Sequence, residues 1–161
     1  MAAVTHYGMA LNYAHGTLKR DKDIVLAAVA QCPWALNYAD ESLMRDKGAV
    51  LAVAALHGRG ALIHGDLTFR SDKDVVVKAV TQNGDALDYA DESLKHDKDV
   101  VLAAVKQRGV LLRNVDESFK RDKDVVLAAV RNDRAALYYA DESLKGDKDI
   151  LLAASPTKGP L

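Results

Sequence analysis

The stretch Asp97-Lys98-Asp99-Val100-Val101-Leu102-Ala103-Ala104-Val105 decides the fold, because close copies of it begin at Asp21, Asp46, Asp72, Asp122 and Asp147. The copies step by 25 residues, except from Asp46 to Asp72, where the step is 26. A fixed period of this size marks a repeat protein, in which each unit buries an apolar face against its neighbours. Five full units follow, at 21–45, 46–71, 72–96, 97–121 and 122–146. Residues 1–20 fit the back of a further unit, with Ala2-Ala3-Val4 under Ala103-Ala104-Val105, and residues 147–155 fit the front of another. Residues 1–155 therefore read as one α-solenoid repeat domain and 156–161 as a short Pro/Gly tail.

Each unit reads as two short helices, which makes the chain all-α, an α/α solenoid. The first helix runs through the apolar block, for example Lys98 to Gln107, with Asp97 placed to accept a bond from a free backbone N–H as its N-cap. Asp99 adds negative charge to the first turn, where the helix dipole favours it. The block is apolar almost all round, so this helix is expected to be sandwiched on several sides. Its paired alanines let neighbouring helices approach closely. A buried parallel strand is the rival reading, but the block has no internal period of two. Gly84 and Gly109 sit where the helix should stop, as left-handed C′ residues, and Pro33 fills the same column. The second helix covers Ala86-Leu87-Asp88-Tyr89-Ala90 and its counterparts at 35–39 and 136–140. A single turn follows at Asp91-Glu92-Ser93-Leu94, Asp-capped, with its Leu tucked into the core.

The Asp-Lys-Asp-Val-Val-Leu-Ala-Ala-Val block, with Gln82-Asn83-Gly84 and Ala86-Leu87-Asp88-Tyr89-Ala90, resembles a tandem repeat family catalogued as a domain of unknown function, DUF4116. The resemblance runs from residue 2 to 155. It implies an α-helical repeat array, common in protists such as dinoflagellates and in some bacteria, and carries no catalytic residue or cofactor. The unit 46–71 departs most: Gly48 replaces the acidic residue and His64-Gly65 replaces Tyr-Ala, while Lys78 of the next unit replaces an Ala.

The charge balance, 22 basic against 23 acidic residues, gives no electrostatic reason to expect nucleic acid or an anionic membrane. The lysines at 22, 47, 73, 98, 123 and 148 could be drawn as a phosphate track, but each is flanked by Asp. The reading is therefore no nucleic acid. The stacked acidic columns could be drawn as calcium ligands, but their spacing is not that of a calcium loop; they read as helix caps and ion pairs. His6, His15, His57, His64 and His96 match no metal-ligand spacing, although His57, His64 and Asp66 could outline an enzyme site in the irregular unit. No glycine-rich phosphate loop or nucleophile motif is present. The expectation is no enzyme, no cofactor and no metal. Cys32 is the single cysteine, so no disulfide can form within the chain and a reducing, intracellular setting is expected, cytoplasm or organelle interior. The longest apolar run, Ala49 to Leu56, is too short to span a bilayer and the first residues lack the pattern of a secretory signal. The chain reads as soluble, with no transmembrane segment.

Tyr13, Tyr38, Tyr89 and Tyr139 recur at the period and read as core packing with the hydroxyl at an edge. Columns that vary between units are free of packing duty. One lies in the link between the two helices and includes Trp34, Arg59, Arg108 and Arg134. The other runs through the second helix as Asn12, Asn37, Ile63, Asp88, Arg113 and Tyr138. Trp, Tyr and Arg are the types enriched in binding hot spots. The expected function is a non-catalytic protein–protein interaction module, with Trp34, Arg59, Arg108, Arg113, Arg134 and Tyr138 as partner-binding residues. The expected partners are other protein subunits or further repeats of a longer array. The family resemblance extends this to an accessory or scaffold subunit of an organellar assembly such as a photosystem. A small-ligand or nucleic-acid binder is the alternative, with an enzyme in the irregular unit behind it. Half-exposed faces at Met9, Leu11 and Ala14, and at Ile150-Leu151-Leu152, are expected to invite a cover.

Overall fold

A computed structural model describes residues 7–155. It is an all-α helical repeat solenoid, with no strand among the described residues. Ala2-Ala3-Val4, His6 and the tail 156–161 lie outside the described residues.

Each unit begins with a long helix. We label these α1 (Lys22–Gln31), α2 (Lys47–His57), α3 (Lys73–Gln82), α4 (Lys98–Gln107), α5 (Lys123–Asn132) and α6 (Lys148–Ala154). The repeated Asp starts each one. Asp97 Oδ1 accepts from the N–H groups of Asp99 (2.9 Å) and Val100 (3.3 Å), and Asp21, Asp72, Asp122 and Asp147 do the same in their units. A cap of this kind stabilises a helix by about 1 kcal/mol.

Successive long helices pack on one another along the chain, from α1 to α6. Val100, Val101, Ala104 and Val105 of α4 are buried, and the same four positions are buried in α1, α3 and α5. Each large apolar side chain buried this way contributes about 1.5–3 kcal/mol. Leu102 and Ala103 remain half-exposed. The helix is therefore not enclosed all round, as its composition suggests. It buries one broad face, and the outer Leu-Ala pair is wetted.

The second helix is a 3-10 helix, as at Pro33–Tyr38, Gly84–Tyr89, Gly109–Asn114 and Arg134–Tyr139. Its tight three-residue turn aligns positions i and i+3, so Ala86 and Tyr89 share a side: Ala86 is buried and Tyr89 half-buried. The predicted capped turn is a four-residue α-helix, for example Glu92–Lys95, begun by Asp91, which accepts from Ser93 N–H at 3.0 Å. The unit thus has three elements.

Gly84 and Gly109 do not end the long helix in the left-handed conformation. Among the described residues only Gly58 has a positive φ, of 40°. Gly84 and Gly109 open the 3-10 helices, and they are needed for close approach. A Cβ on Gly84 would lie 2.7 Å from Leu111 Cδ1 and 3.0 Å from the Ala104 carbonyl oxygen; one on Gly109 would run into the Ala129 carbonyl. Their N–H groups donate forward into the next unit, Gly84 to Gln107 Oε1 (3.1 Å) and Gly109 to Asn132 Oδ1 (2.6 Å). Pro33, in the same column, starts its 3-10 helix rather than stopping the long one.

The charged columns join unit to unit. Lys73 Nζ donates to Asp97 and Asp99 of the next unit, both at 2.8 Å, and Lys47, Lys98 and Lys123 repeat the pattern. On a second line, Arg20 donates to Asp40 (2.9 Å) and Arg121 to Asp141 (3.0 Å). These exposed pairs fix register more than they add stability, each being worth about 0–1 kcal/mol.

Candidate functional site

The link and the 3-10 helices form one tier of the stack, and the variable columns lie on it. Within Arg134–Tyr139 the turn directs Ala136 inward and Tyr138 outward. The equivalent position in the other units is held by Asn12, Asn37, Asp88 and Arg113, all exposed. Ile63, in the irregular unit, is half-buried.

Five of the six residues singled out from sequence fall into two groups. Trp34 is 59% exposed, and its ring meets that of His64 in the next unit at 4.7 Å between centroids, tilted by 58°. Arg59 opens a neighbouring α-helix, Arg59–His64, that packs against Pro33–Tyr38. Burial beside this tier pushes the His64 imidazole below its ordinary pKa, which favours the neutral ring beside Trp34. The second group spans two 3-10 helices that pack on each other, Gly109–Asn114 and Arg134–Tyr139. It contains Arg113, Arg134 and Tyr138, all exposed. Tyr138 is 79% exposed, meets Tyr139 edge-on at 5.3 Å and has Lys145 Nζ at 5.7 Å from its ring centroid. Among the described residues Arg113 Nε donates only to the adjacent Asn114 Oδ1, at 3.2 Å.

Arg108 belongs to neither group as a free contact. Its Nη1 donates to both carboxylate oxygens of Asp85 in the preceding unit, at 2.8 and 2.6 Å. It is a clasp between units, and the opposite charges 23 positions apart were the sequence signal for that. Asp85 and Asp88 also stand on the tier between the two groups, so the basic residues form no continuous positive track.

The histidines of the irregular unit are occupied elsewhere. His57 Nε2 lies 2.6 Å from the Val29 carbonyl oxygen, His64 packs on Trp34, and Asp66 caps Thr68 and pairs with Arg45. Among the described residues no three His, Cys, Asp or Glu side chains converge on a point that could hold a metal ion. An open groove of about 370 Å³ runs beside Glu92–Lys95, lined by Leu87, Asp88, Lys95, His96, Asn114 and Asp116. His96, in its lining, stands where Arg121 stands in the next unit. The shorter imidazole stays 3.9 Å from Asp116, whereas Arg121 reaches Asp141 at 3.0 Å.

The family model described as "Domain of unknown function (DUF4116)" matches residues 1–44, 50–95, 72–120, 97–145 and 122–154. The chain belongs to this family. Matches starting at 72, 97 and 122 step by one structural unit and overlap, so the DUF4116 model spans about two of the units described above. The one gap, at 45–49, contains Gly48. Comparison with curated proteins and with solved structures finds no match. Among the described residues no helix is long and apolar enough to cross a membrane.

Proposed function

We propose that the outward face of the 3-10 tier binds another protein, making this DUF4116 chain a non-catalytic interaction module and an accessory subunit of a larger assembly. The observation that carries the reading is Tyr138. A large aromatic side chain stands 79% exposed on a helix whose inner positions are packed, with Lys145 Nζ 5.7 Å from its ring and Arg113 and Arg134 exposed on the same pair of packed 3-10 helices. Aromatic and Arg side chains on a rigid support are the groups that dominate protein–protein binding energy. The column that holds Tyr138 changes chemical type from unit to unit, as a recognition surface does on other solenoids. Trp34 offers a second aromatic contact on the same tier, with the His64 ring against it.

The test is double substitution, Tyr138→Ala with Arg113→Ala, in the cells of origin. A partner that co-purifies with the wild-type chain should be recovered at least tenfold less, corresponding to about 1.4 kcal/mol. Thermal stability should stay unchanged, because both side chains are exposed. Equal recovery with both this pair and Trp34→Ala would sink the reading.

A further inference from the structure

We propose that the outer face of the long helices α2 to α5 is a docking groove for an amphipathic helix of a partner protein, laid across them with acidic side chains along one flank. The proposal does not rest on the 3-10 face, and it uses none of the six residues placed there.

The floor of this face is apolar and built from one column. Leu51, Val77, Leu102 and Leu127 stand at the same position of successive units, each half-buried, and the small Ala103 and Ala128 lie beside the last two. Between neighbouring helices the floor sinks into grooves of about 320, 550 and 330 Å³. The first and second share Thr81 in their linings, and the second and third share Lys106. The three grooves therefore adjoin, from α2 across to α5.

The two edges of the floor carry opposite charge. At the start of the helices each ladder lysine sits between two carboxylates, as Lys73 does between Asp97 and Asp99, so every complete rung is net negative. At the far edge Lys106 and Arg131 occupy one position in successive last turns, and Lys78 lies one turn before the equivalent Thr81. All three are exposed, and among the described residues none of them pairs with a carboxylate side chain. Residues 1–6 and 156–161 contain no Asp or Glu. Three cations along one edge without counter-charges call for a partner with acidic side chains there. The apolar floor and the acidic opposite edge disfavour a nucleic-acid backbone.

The dimensions favour a helix over an extended strand. Helix α4 has 10 residues, a length of about 15 Å, so the floor between the charged edges takes a helix about 10–12 Å wide. Packed helices stand about 8–10 Å apart. Side chains on one face of a helix recur every two turns, about 10.5 Å, and can enter successive grooves. Those on one side of a strand recur at about 6.7 Å and fall out of step.

The probe that tests this is a fluorescein-labelled, hydrocarbon-stapled peptide of roughly 20 residues, long enough to cross four helices, with leucines on one face and glutamates on one flank. Its fluorescence anisotropy should rise saturably with the intact protein. Lys106→Glu with Arg131→Glu should weaken binding at least tenfold and leave the circular dichroism spectrum unchanged, because both side chains are exposed. Exchanging the peptide's glutamates for lysines should abolish binding to the wild type and restore it to the double variant. Tyr138→Ala with Arg113→Ala should leave the peptide affinity unchanged, which separates this face from the 3-10 face. No saturable binding of the acidic peptide would overturn the proposal. So would equal affinity for both peptides, indifference to the double variant, dependence on Tyr138 and Arg113, or tighter binding of a single-stranded RNA of similar length.

Discussion

Unit 97–121 and unit 46–71 solve the same packing problem with 25 and 26 residues. Their long helices begin alike. Val100, Val101, Ala104 and Val105 are buried in one; Ala49, Val50, Val53 and Ala54 are buried at the same offsets in the other. The units part at the end of the helix. Helix α2 has 11 residues where α4 has 10. One extra residue rotates the exit by about 100°, and Gly58, at φ 40° and ψ −96°, turns the chain back. The following segment is then α-helical at Arg59–His64 instead of 3-10, and the next is 3-10 at Leu67–Arg70 instead of α. Ala61, Leu62 and Phe69 still reach the core. The comparison teaches that the front half of the unit is fixed by packing between long helices. The end of the long helix and the segments after it absorb an insertion locally, and the stack resumes at Asp72.

The largest expected effects come from removing the devices that each link depends on. Gly58→Ala forces a side chain into a positive-φ conformation and places its Cβ 2.7 Å from the Ala79 carbonyl oxygen. Gly109→Ala drives a Cβ into the Ala129 backbone. Each should cost about 3 kcal/mol and lower Tm by roughly 6–12 °C. Gly60→Ala makes the contrast: its Cβ would sit at ordinary contact, 3.5 Å from His57 Cβ and Pro33 Cβ, inside a helix. It should leave Tm unchanged or raise it slightly. Thermal melts that rank the three alike would break the account of the two links.

A smaller effect separates two rungs of the lysine ladder. Gly48 stands where Asp74, Asp99, Asp124 and Asp149 stand, so Lys22 has only Asp46, at 3.4 Å, while Lys73 has two acceptors at 2.8 Å. Gly48→Asp should complete the rung, improve the first turn of α2 and stabilise the protein by about 1 kcal/mol. Asp99→Ala in the regular unit should cost about 0.5 kcal/mol. Both changes should shrink in high salt. Equal melting curves for wild type and Gly48→Asp would show that the ladder sets register without adding stability.

Much of this was legible in the sequence. The period fixed the number of units, the Asp before each apolar block is the observed cap, and the departure at Gly48 and His64-Gly65 marks the irregular unit. Three things were not legible, for physical reasons. Ala86-Leu87-Asp88-Tyr89-Ala90 is too short for its apolar spacing to separate a 3-10 turn from an α turn. The glycines at 84 and 109 suit a left-handed stop as well as a close approach, and only the position of the next unit's helix decides between them. The predicted exposed faces were half right. Met9, Leu151 and Leu152 are exposed, but Leu11 and Ile150 are fully buried and Ala14 half-buried, because the adjacent units cover them. For the site, Trp34, Arg59, Arg113, Arg134 and Tyr138 are all exposed as variable columns predict. Arg108 is exposed too, but it is engaged with Asp85, since variability also allows a clasp specific to one pair of units. Tyr13 likewise leaves its half-buried column because no preceding described unit covers it.

The smallest expected effect is a difference in pH slope between the two kinds of unit. In the regular unit 122–146, hydrogen bonds from Ser143 and then the Arg121 guanidinium lower the Asp141 carboxyl to about 2. Its counterpart in the irregular unit, Asp66, is lowered less, by bonds from Thr68 and the more distant Arg45. A carboxylate with a folded pKa below its unfolded value of about 3.9 adds stability above that value. The contribution disappears as pH falls through the folded pKa. Tm should therefore decline as pH drops from about 5 toward 2. Asparagine keeps the capping oxygen but cannot titrate, so Asp141→Asn should flatten that decline, and Asp66→Asn should flatten it less. Melting temperatures measured across this window for the two variants decide the matter. Two slopes parallel to the wild type would mean that these caps titrate as they do in the unfolded chain, and that the Arg–Asp line between units does no more than hold register.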